Sequence, residues 1–225
     1  YAPQRCLYCD QPSLAPEALC NVCLGEYRYN VDACPCCALP DCHGAQCPAC
    51  QQRPSPLERI VAPLVYDPAV AYLISQWKFQ RDRRLSEVAA KIMMRDAFFF
   101  EKNAIVMSTP LHWLRRLQRG FNQSEDLLDS LGRRMPRLRV QRHSGTALYR
   151  VRATAKQSLA TRAARLANLE GAFAVRGDVR GRRIVVVDDV CTTAATGEAM
   201  AQALLAAGAA GVSLWCLART PTRRR

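Results

Sequence analysis

The chain has 225 residues, 49% of them hydrophobic and 23% charged, with 12 cysteines and a formal net charge of +13. Such a chain can bury a sizeable core as one domain plus a smaller one. A membrane-spanning protein is excluded, because no apolar run approaches the ~18 residues a span needs, and without a basic and apolar leader at its start the chain is expected in the cytoplasm. Charge is unevenly placed. Up to Arg53 three Lys/Arg face five Asp/Glu, which leaves 29 basic and 14 acidic residues in the rest. The partner of that larger part is expected to be anionic, either a pyrophosphorylated sugar or nucleic acid. Scattered cations such as Arg133, Arg134 and Arg137 read equally well as ordinary solvated surface.

In chain order, the cysteines come first. Ten of the twelve lie within residues 6–50, as four CxxC knuckles: Cys6 with Cys9, Cys20 with Cys23, Cys34 with Cys37, and Cys47 with Cys50. A segment so poor in large apolar residues cannot build a core unaided, and paired thiolate knuckles supply the remedy as tetrahedral zinc sites. Two structural zinc ions are expected. Sequential pairing into two ribbons is the preferred arrangement; an interleaved cross-brace is compatible with the same spacing, and iron with the same ligands. A disulfide framework is the competing reading, disfavoured because nothing marks the chain as secreted. Cys36, Cys42 and His43 are left over, as bystanders or substitute ligands.

Residues 51–56 (QQRPSP) read as a linker, so the boundary is placed between a unit 1–53 and a unit 54–225. A strand is expected over 59–66, a helix over 69–79 with Leu73, Ile74 and Trp77 on one face, and a second helix over 85–100, with an RDRR turn between the helices. A short buried strand, 104–107, then enters a loop of Ser108, Thr109, Pro110 and Leu111. That loop leads to RLQRGFNQS, where Arg119, Asn122 and Gln123 offer polar groups beside a helix start and Phe121 staples into the core. Pyrophosphate fits such a place, and so does a plain helix cap with a nearby Arg.

A strand over 147–151 is followed by RATAKQSLATRAAR, which carries Arg152, Lys156, Arg162 and Arg165 without an acid. It reads as a mobile ligand-covering loop or as the solvated face of a helix. After an edge-like strand at 172–175 comes the most informative stretch, RIVVVDDVCTTAATG. Residues 184–187 form a strand apolar on both faces, as in the middle of a parallel sheet, and it ends in Asp188 and Asp189. A loop of Thr192, Thr193, Ala194, Ala195 and Thr196 leads into a helix through 200–205. Ligands of open α/β sheets bind outside the carboxyl ends of the strands, and a helix start offers free amides to a phosphate. Two acids beside that phosphate would face sugar hydroxyls or a magnesium ion. A last buried strand, 212–218, precedes a basic tail.

The strand, acid pair and Thr-rich loop resemble the phosphoribosyl pyrophosphate signature of type I phosphoribosyltransferases. Taken with the zinc ribbons, WKF near Lys78, RGFNQS, LYRVRATAKQS, NLEGAF and ART at Ala218, nearly the whole chain resembles the ComF family. This resemblance implies an α/β fold, a type I phosphoribosyltransferase-like parallel sheet flanked by helices, with a small N-terminal double zinc-ribbon domain. It implies binding of magnesium phosphoribosyl pyrophosphate or a nucleotide, and a part in DNA uptake or in the use of DNA as a nutrient. On that likeness Asp188 and Asp189 would hold the ribose hydroxyls, and residues 192–196 the 5'-phosphate. Thr109, Pro110, Leu111 and Arg119, with Asn122 and Gln123 beside them, would take pyrophosphate and its metal, and Lys156 the leaving-group charge. The alternative is a catalytically inactive fold that binds single-stranded DNA or a DNA-uptake protein. Ala194 stands where the family's loop has glycine, and a left-handed alanine there is expected to weaken the site.

Overall fold

The computed structural model of the protein describes residues 4–13, 18–80, 83–97, 100–101, 103–111, 121–136, 139–140, 147–152 and 168–221. The cysteine-rich start forms little regular structure: an antiparallel pair, β1 (Gln4–Arg5) and β2 (Pro12–Ser13), and two short helices, α1 (Asn21–Gly25) and α2 (Pro48–Gln52). Then come β3 (Arg59–Val61), β4 (Leu64–Val65), α3 (Pro68–Gln80), α4 (Arg83–Met94), β5 (Ile105–Ser108) and α5 (Gln123–Arg134). The remainder is β6 (Arg139–Val140), β7 (Ala147–Arg150), β8 (Phe173–Arg176), β9 (Arg183–Cys191), α6 (Ala195–Ala206) and β10 (Gly211–Arg219).

Six strands make one sheet in the order β3-β10-β9-β5-β6, with β4 continuing along β10 beyond β3, and every pairing in it is parallel. The register sets Val186 between Leu214 and Met107, and Val187 between Trp215 and Ser108. Side chains of these strands alternate between two cores. Val106, Val185, Val187, Trp215 and Leu217 meet Leu73, Ile74 and Trp77 of α3, Val88 of α4 and Leu127 and Leu131 of α5. Ile105, Met107, Ile184, Val186 and Leu214 meet Ala199, Met200 and Leu204 of α6 and the separate antiparallel β7–β8 pair. Both faces are therefore covered, which is why residues 184–187 of β9 and 214–218 of β10 are apolar on both faces. Gly197 lets α6 lie close on β10: a Cβ there would come within 2.8 Å of Leu214 Cδ2.

The cysteine segment lies along the β3–β4 edge. Tyr29 bridges Leu64, the Val65 amide donates to the Arg28 carbonyl at 2.9 Å, and the Ile60 amide to the Cys36 carbonyl at 2.8 Å. The first cysteine group packs into the core of α3–α5, with Cys6, Cys23 and Tyr27 buried there. The second packs into the α6 core through Cys37 and Ala38.

Three expectations need correction. The strand foreseen at 184–187 runs on through both acids to Cys191, because β10 stays paired with it as far as Arg219. The strand foreseen over 59–66 is two pieces, since Pro63 has no N–H to give the ladder and its carbonyl instead accepts from the Asn30 amide at 2.8 Å. The helix foreseen to reach 100 stops at Met94 in a tighter turn, where Asp96 N–H bonds to the Met93 carbonyl, and Phe100 leaves to lie against Trp215, ring centres 5.0 Å apart. Arg133 and Arg134, which the sequence leaves open between ordinary surface and an anion-facing role, both pair with Glu87 of α4, at 2.5 and 2.8 Å. Among the described residues no helix is long and apolar enough to cross a membrane.

Candidate functional site

Two places gather the chemistry. In the first, Cys6, Cys9, Cys20 and Cys23 bring their sulfurs within 4.8 Å of one another, and Cys34, Cys37, Cys47 and Cys50 do the same. The knuckles thus pair sequentially. Cys9 and Cys20 sulfurs are 3.9 Å apart, Cys37 and Cys47 sulfurs 3.6 Å. A tetrahedron of metal–sulfur bonds of about 2.3 Å has edges of about 3.8 Å, whereas a disulfide needs about 2.05 Å. Both groups therefore fit a zinc ion. Main-chain amides point at the sulfurs, Cys20 N–H to Cys6 at 3.4 Å and Cys47 N–H to Cys34 at 3.3 Å. Burial alone would raise these thiols, but such amides outweigh it and bring Cys6 down to about 6 and Cys34 to about 7. Burial and the neighbouring sulfurs push Cys23 and Cys50 up, so four thiolates ionise together only round a cation. Cys36 accepts from Gln46 Nε2 at 3.0 Å and Cys42 lies 3.6 Å from the Pro40 carbonyl; neither belongs to a four-sulfur set.

The second place is the carboxyl end of the sheet. Asp188 and Asp189 stand half-buried near the end of β9, level with Thr109 just past β5. Asp188 Oδ1 accepts from Ser124 Oγ at 3.0 Å and from the Asp189 amide at 2.9 Å, and Asp189 Oδ1 accepts from the Val190 amide at 2.8 Å. Burial first, then the Asp189 charge, raises Asp188 to about 7 in spite of those donors. The Thr109 hydroxyl is close enough to favour the ionised form, yet it meets no acceptor at hydrogen-bond distance. Thr109 is 7% exposed and Gln123 3%, and among the described residues the Thr109 hydroxyl and the Gln123 amide nitrogen have no partner. Buried polar atoms are rarely left so, and here they sit where a ligand would enter.

Asn122 caps α5, its side chain accepting from the Ser124 amide at 3.1 Å and donating to the Thr109 carbonyl at 3.0 Å. That bond ties the loop of Thr109, Pro110 and Leu111 to the start of α5. On the other side Thr192 and Thr193 turn the chain, Ala194 takes the left-handed conformation at φ 63°, ψ −7°, and α6 begins at Ala195. Its first bond is from the Glu198 amide to the Ala194 carbonyl at 2.9 Å, so the amides of Ala195, Thr196 and Gly197 lie ahead of it as in any helix start. Thr192 is exposed, Thr193 and Thr196 half-buried. Asp188, Asp189, Thr109, Asn122 and Gln123 are thus brought together, with residues 192–196 following the same strand. Arg119 and Lys156 lie outside the described residues.

Two site residues were not foreseen. Ser124 belongs to the RGFNQS motif, but only the fold shows its hydroxyl on Asp188. Arg219 ends β10 and is 7% exposed; it donates to four main-chain carbonyls, those of Cys37 at 3.0 Å, Cys191 at 3.1 Å, Thr220 at 3.1 Å and Thr192. Its sequence signal is a cation straight after a run of apolar strand residues. Beside it the buried Cys191 thiol is drawn down to about 7 by the Cys216 thiol and, against burial, by Arg219 and the Ala194 amide.

A phosphoribosyl transferase domain matches residues 118–225. The DNA utilization protein YhgH of Escherichia coli (strain K12) is 36% identical over 97% of this chain and 98% of its own, and that of Salmonella typhimurium is similar to the same extent. Competence protein F of Haemophilus influenzae is 25% identical over 96% of both chains.

Proposed function

Because the chain belongs to the ComF family of proteins with a phosphoribosyltransferase domain, we propose that it binds magnesium phosphoribosyl pyrophosphate or a nucleotide at the carboxyl end of its sheet and serves the uptake or use of DNA in the cytoplasm. The observation that carries the ligand is that the buried Thr109 hydroxyl and Gln123 amide nitrogen lack hydrogen-bond partners among the described residues, at the end of the sheet that bears the Asp188 carboxyl. The link to DNA rests on relatives named for DNA utilisation and competence.

In this reading residues 1–53 are a double zinc ribbon and 54–225 the phosphoribosyltransferase-like domain. Asp188 and Asp189 take the ribose hydroxyls, with Ser124 fixing the rotamer of the first. Residues 192–196 take the 5'-phosphate at the start of α6, where small side chains and free amides suit an anion. Thr109, Pro110, Leu111 and Arg119, with Asn122 and Gln123, receive the pyrophosphate, and Lys156 meets the charge that develops on it. The carboxylates supply the hard oxygen ligands that magnesium accepts, and the ion would add charge neutralisation when bound with the ligand. Turnover then consists of one bond forming from an acceptor nitrogen to the anomeric carbon while the bond to the pyrophosphate oxygen breaks, and pyrophosphate leaves.

Calorimetric titration with phosphoribosyl pyrophosphate and magnesium, followed by assay of pyrophosphate release with a panel of nucleobases, tests both halves. Binding with release establishes the enzyme. Binding without release leaves a ligand-sensing fold. Absence of binding removes the ligand reading and favours the second one, a protein that holds single-stranded DNA, for which the observation is the excess of 29 basic over 14 acidic residues after Arg53.

A further inference from the structure

We propose that Arg219 is a positioning residue that couples the second cysteine group to the loop after β9, so that metal held by Cys34, Cys37, Cys47 and Cys50 tightens ligand binding by that loop. The inference rests on the reading of residues 192–196 as the phosphate loop.

A guanidinium that is 7% exposed must have its donors satisfied, since a buried charge without partners is costly. Arg219 meets that demand with main-chain carbonyls drawn from three separate segments. Its Nε donates to Cys37, and one terminal nitrogen reaches Cys191, Thr192 and Thr220 together. Neutral carbonyls, unlike a flexible carboxylate, cannot follow the cation without moving the backbone that bears them. The guanidinium therefore holds a metal-ligand residue, the last residue of β9 and the first residue of the loop in one fixed arrangement.

The direction of these bonds matters for the loop. A trans peptide places its C=O and N–H on opposite sides. With the carbonyls of Cys191 and Thr192 turned in to Arg219, the amides of Thr192 and Thr193 are turned away from it. Losing the guanidinium would free the Thr192–Thr193 peptide unit to rotate, while the Cys191 carbonyl keeps the Thr220 amide at 3.0 Å, and the loop would have to be ordered again by each ligand it binds.

The cysteine end of the link is equally constrained. The Cys36 carbonyl accepts from the Ile60 amide of β3 at 2.8 Å, and the next carbonyl, of Cys37, accepts from Arg219 at 3.0 Å. Cys37 and Ala194 pack against the same core. A metal on the Cys37 sulfur fixes the knuckle that presents both carbonyls; without metal the knuckle relaxes and Arg219 loses an acceptor. The first cysteine group packs into the opposite core, and the hydrogen bonds of Arg219 go to Cys37, Cys191, Thr192 and Thr220, so the first group serves as the internal control.

Coupling of this kind is reciprocal: if metal raises ligand affinity, ligand must raise metal affinity by the same factor. The test uses full-length protein loaded with cobalt(II), whose thiolate absorption reports each metal, and follows its transfer to a chelator with and without phosphoribosyl pyrophosphate and magnesium. In wild type, one of the two metals is expected to be held about tenfold more tightly with ligand (~1.4 kcal/mol) and the other unchanged. In Cys34→Ser the remaining metal should be indifferent to ligand. Arg219→Met should abolish the ligand effect and Arg219→Lys restore part of it. A merely structural Arg219 would lower the melting temperature yet leave the ligand effect intact in Arg219→Lys and Arg219→Met, which overturns the proposal. So does a wild type that binds ligand but holds both metals equally with and without it. A wild type that binds no phosphoribosyl pyrophosphate overturns the phosphate-loop reading, and this inference with it.

Discussion

The Ser124 hydroxyl donates to Asp188 Oδ1 across 3.0 Å, and this bond joins the first turn of α5 to the end of β9. The orientation of the Asp188 carboxyl thus depends on the Asp189 amide of its own strand and on a helix packed against the sheet. Ser124 itself is buried, and its amide is already held by the Asn122 side chain at 3.1 Å. The hydroxyl is therefore aimed by a cap.

Ser124→Ala removes the donor and leaves the cap. A hydrogen bond to a charged group contributes about 1.5–3 kcal/mol, and only the ionised share of Asp188 feels it at neutral pH. Affinity for magnesium phosphoribosyl pyrophosphate is expected to fall about tenfold, with Ser124→Thr close to wild type. Equal affinities for wild type and Ser124→Ala by calorimetry would show that Asp188 needs no orientation.

Asp188 also sets a pH dependence with two opposite signs. Its folded pKa of about 7 lies above the ~3.9 of a free aspartate, so the folded protein holds this proton more tightly. Its contribution to stability is complete below about 4 and is lost as pH rises through about 7. Urea midpoints should decline over that interval more in wild type than in Asp188→Asn. Ligand that engages the carboxylate should do the reverse, binding more tightly as pH rises through 7 and releasing a proton as it binds. Calorimetry in buffers of different ionisation enthalpy counts that proton; a count of zero at pH 6.5 argues against a carboxylate contact. Because Asp189 lies next to it, the midpoint belongs to the pair.

The legible parts of this chain were those where one residue type serves one purpose. Eight cysteines at CxxC spacing announce two metal sites, and a β-branched run closed by acids announces the middle of a parallel sheet. Sequential pairing was preferred and is what the sulfurs show. The length of β9 was not legible: acids usually end a strand, and only pairing with β10 explains why the ladder continues to Cys191. Nor was the role of Arg219, since its acceptors are carbonyls, which every residue has and no sequence displays. Ser124 was hidden for a related reason. Its partner is 64 residues away, and a serine near a helix start already has a sufficient local reason to be there.

Metal content follows from the sulfur geometry. Purified protein should carry two zinc equivalents, and Cys23→Ser should lose one. The sequence suggests that stripping metal would unfold the cysteine segment alone, but Cys6, Cys23 and Tyr27 share a core with Leu73 and Trp77 of α3. Chelation is therefore expected to lower the melting temperature of the larger part as well, by roughly 10 °C for a loss of about 3 kcal/mol. A calorimetric trace whose main transition does not move after chelation would mean that the two parts are energetically separate. Iron in the metal analysis would correct the identity of the ion without changing the ligands.

Ala194 gives the last prediction. A left-handed alanine costs roughly 1–2 kcal/mol, and glycine in its place removes that cost. The sequence alone suggests that the gain would appear as tighter ligand binding. The structure places the cost in the turn itself: Ala194 stands at φ 63° directly before α6, in a turn fixed between the end of β9 and the helix start, so the strain belongs to folding. Ala194→Gly should therefore raise stability by less than about 1 kcal/mol, because a partly buried methyl packed against the α6 core is given up and the unfolded chain gains freedom. Affinity for phosphoribosyl pyrophosphate should change less than about threefold. If instead the methyl stands in the way of an anion approaching the amides, affinity rises about tenfold with little change in the melting temperature. Ala194→Val separates these further, since a β-branched residue is poorly tolerated at positive φ and should destabilise the fold whichever reading holds. Thermal melts and ligand titrations of the three proteins decide between strain stored in folding and a Cβ that obstructs the site; unchanged melts together with unchanged affinity would remove Ala194 from both accounts.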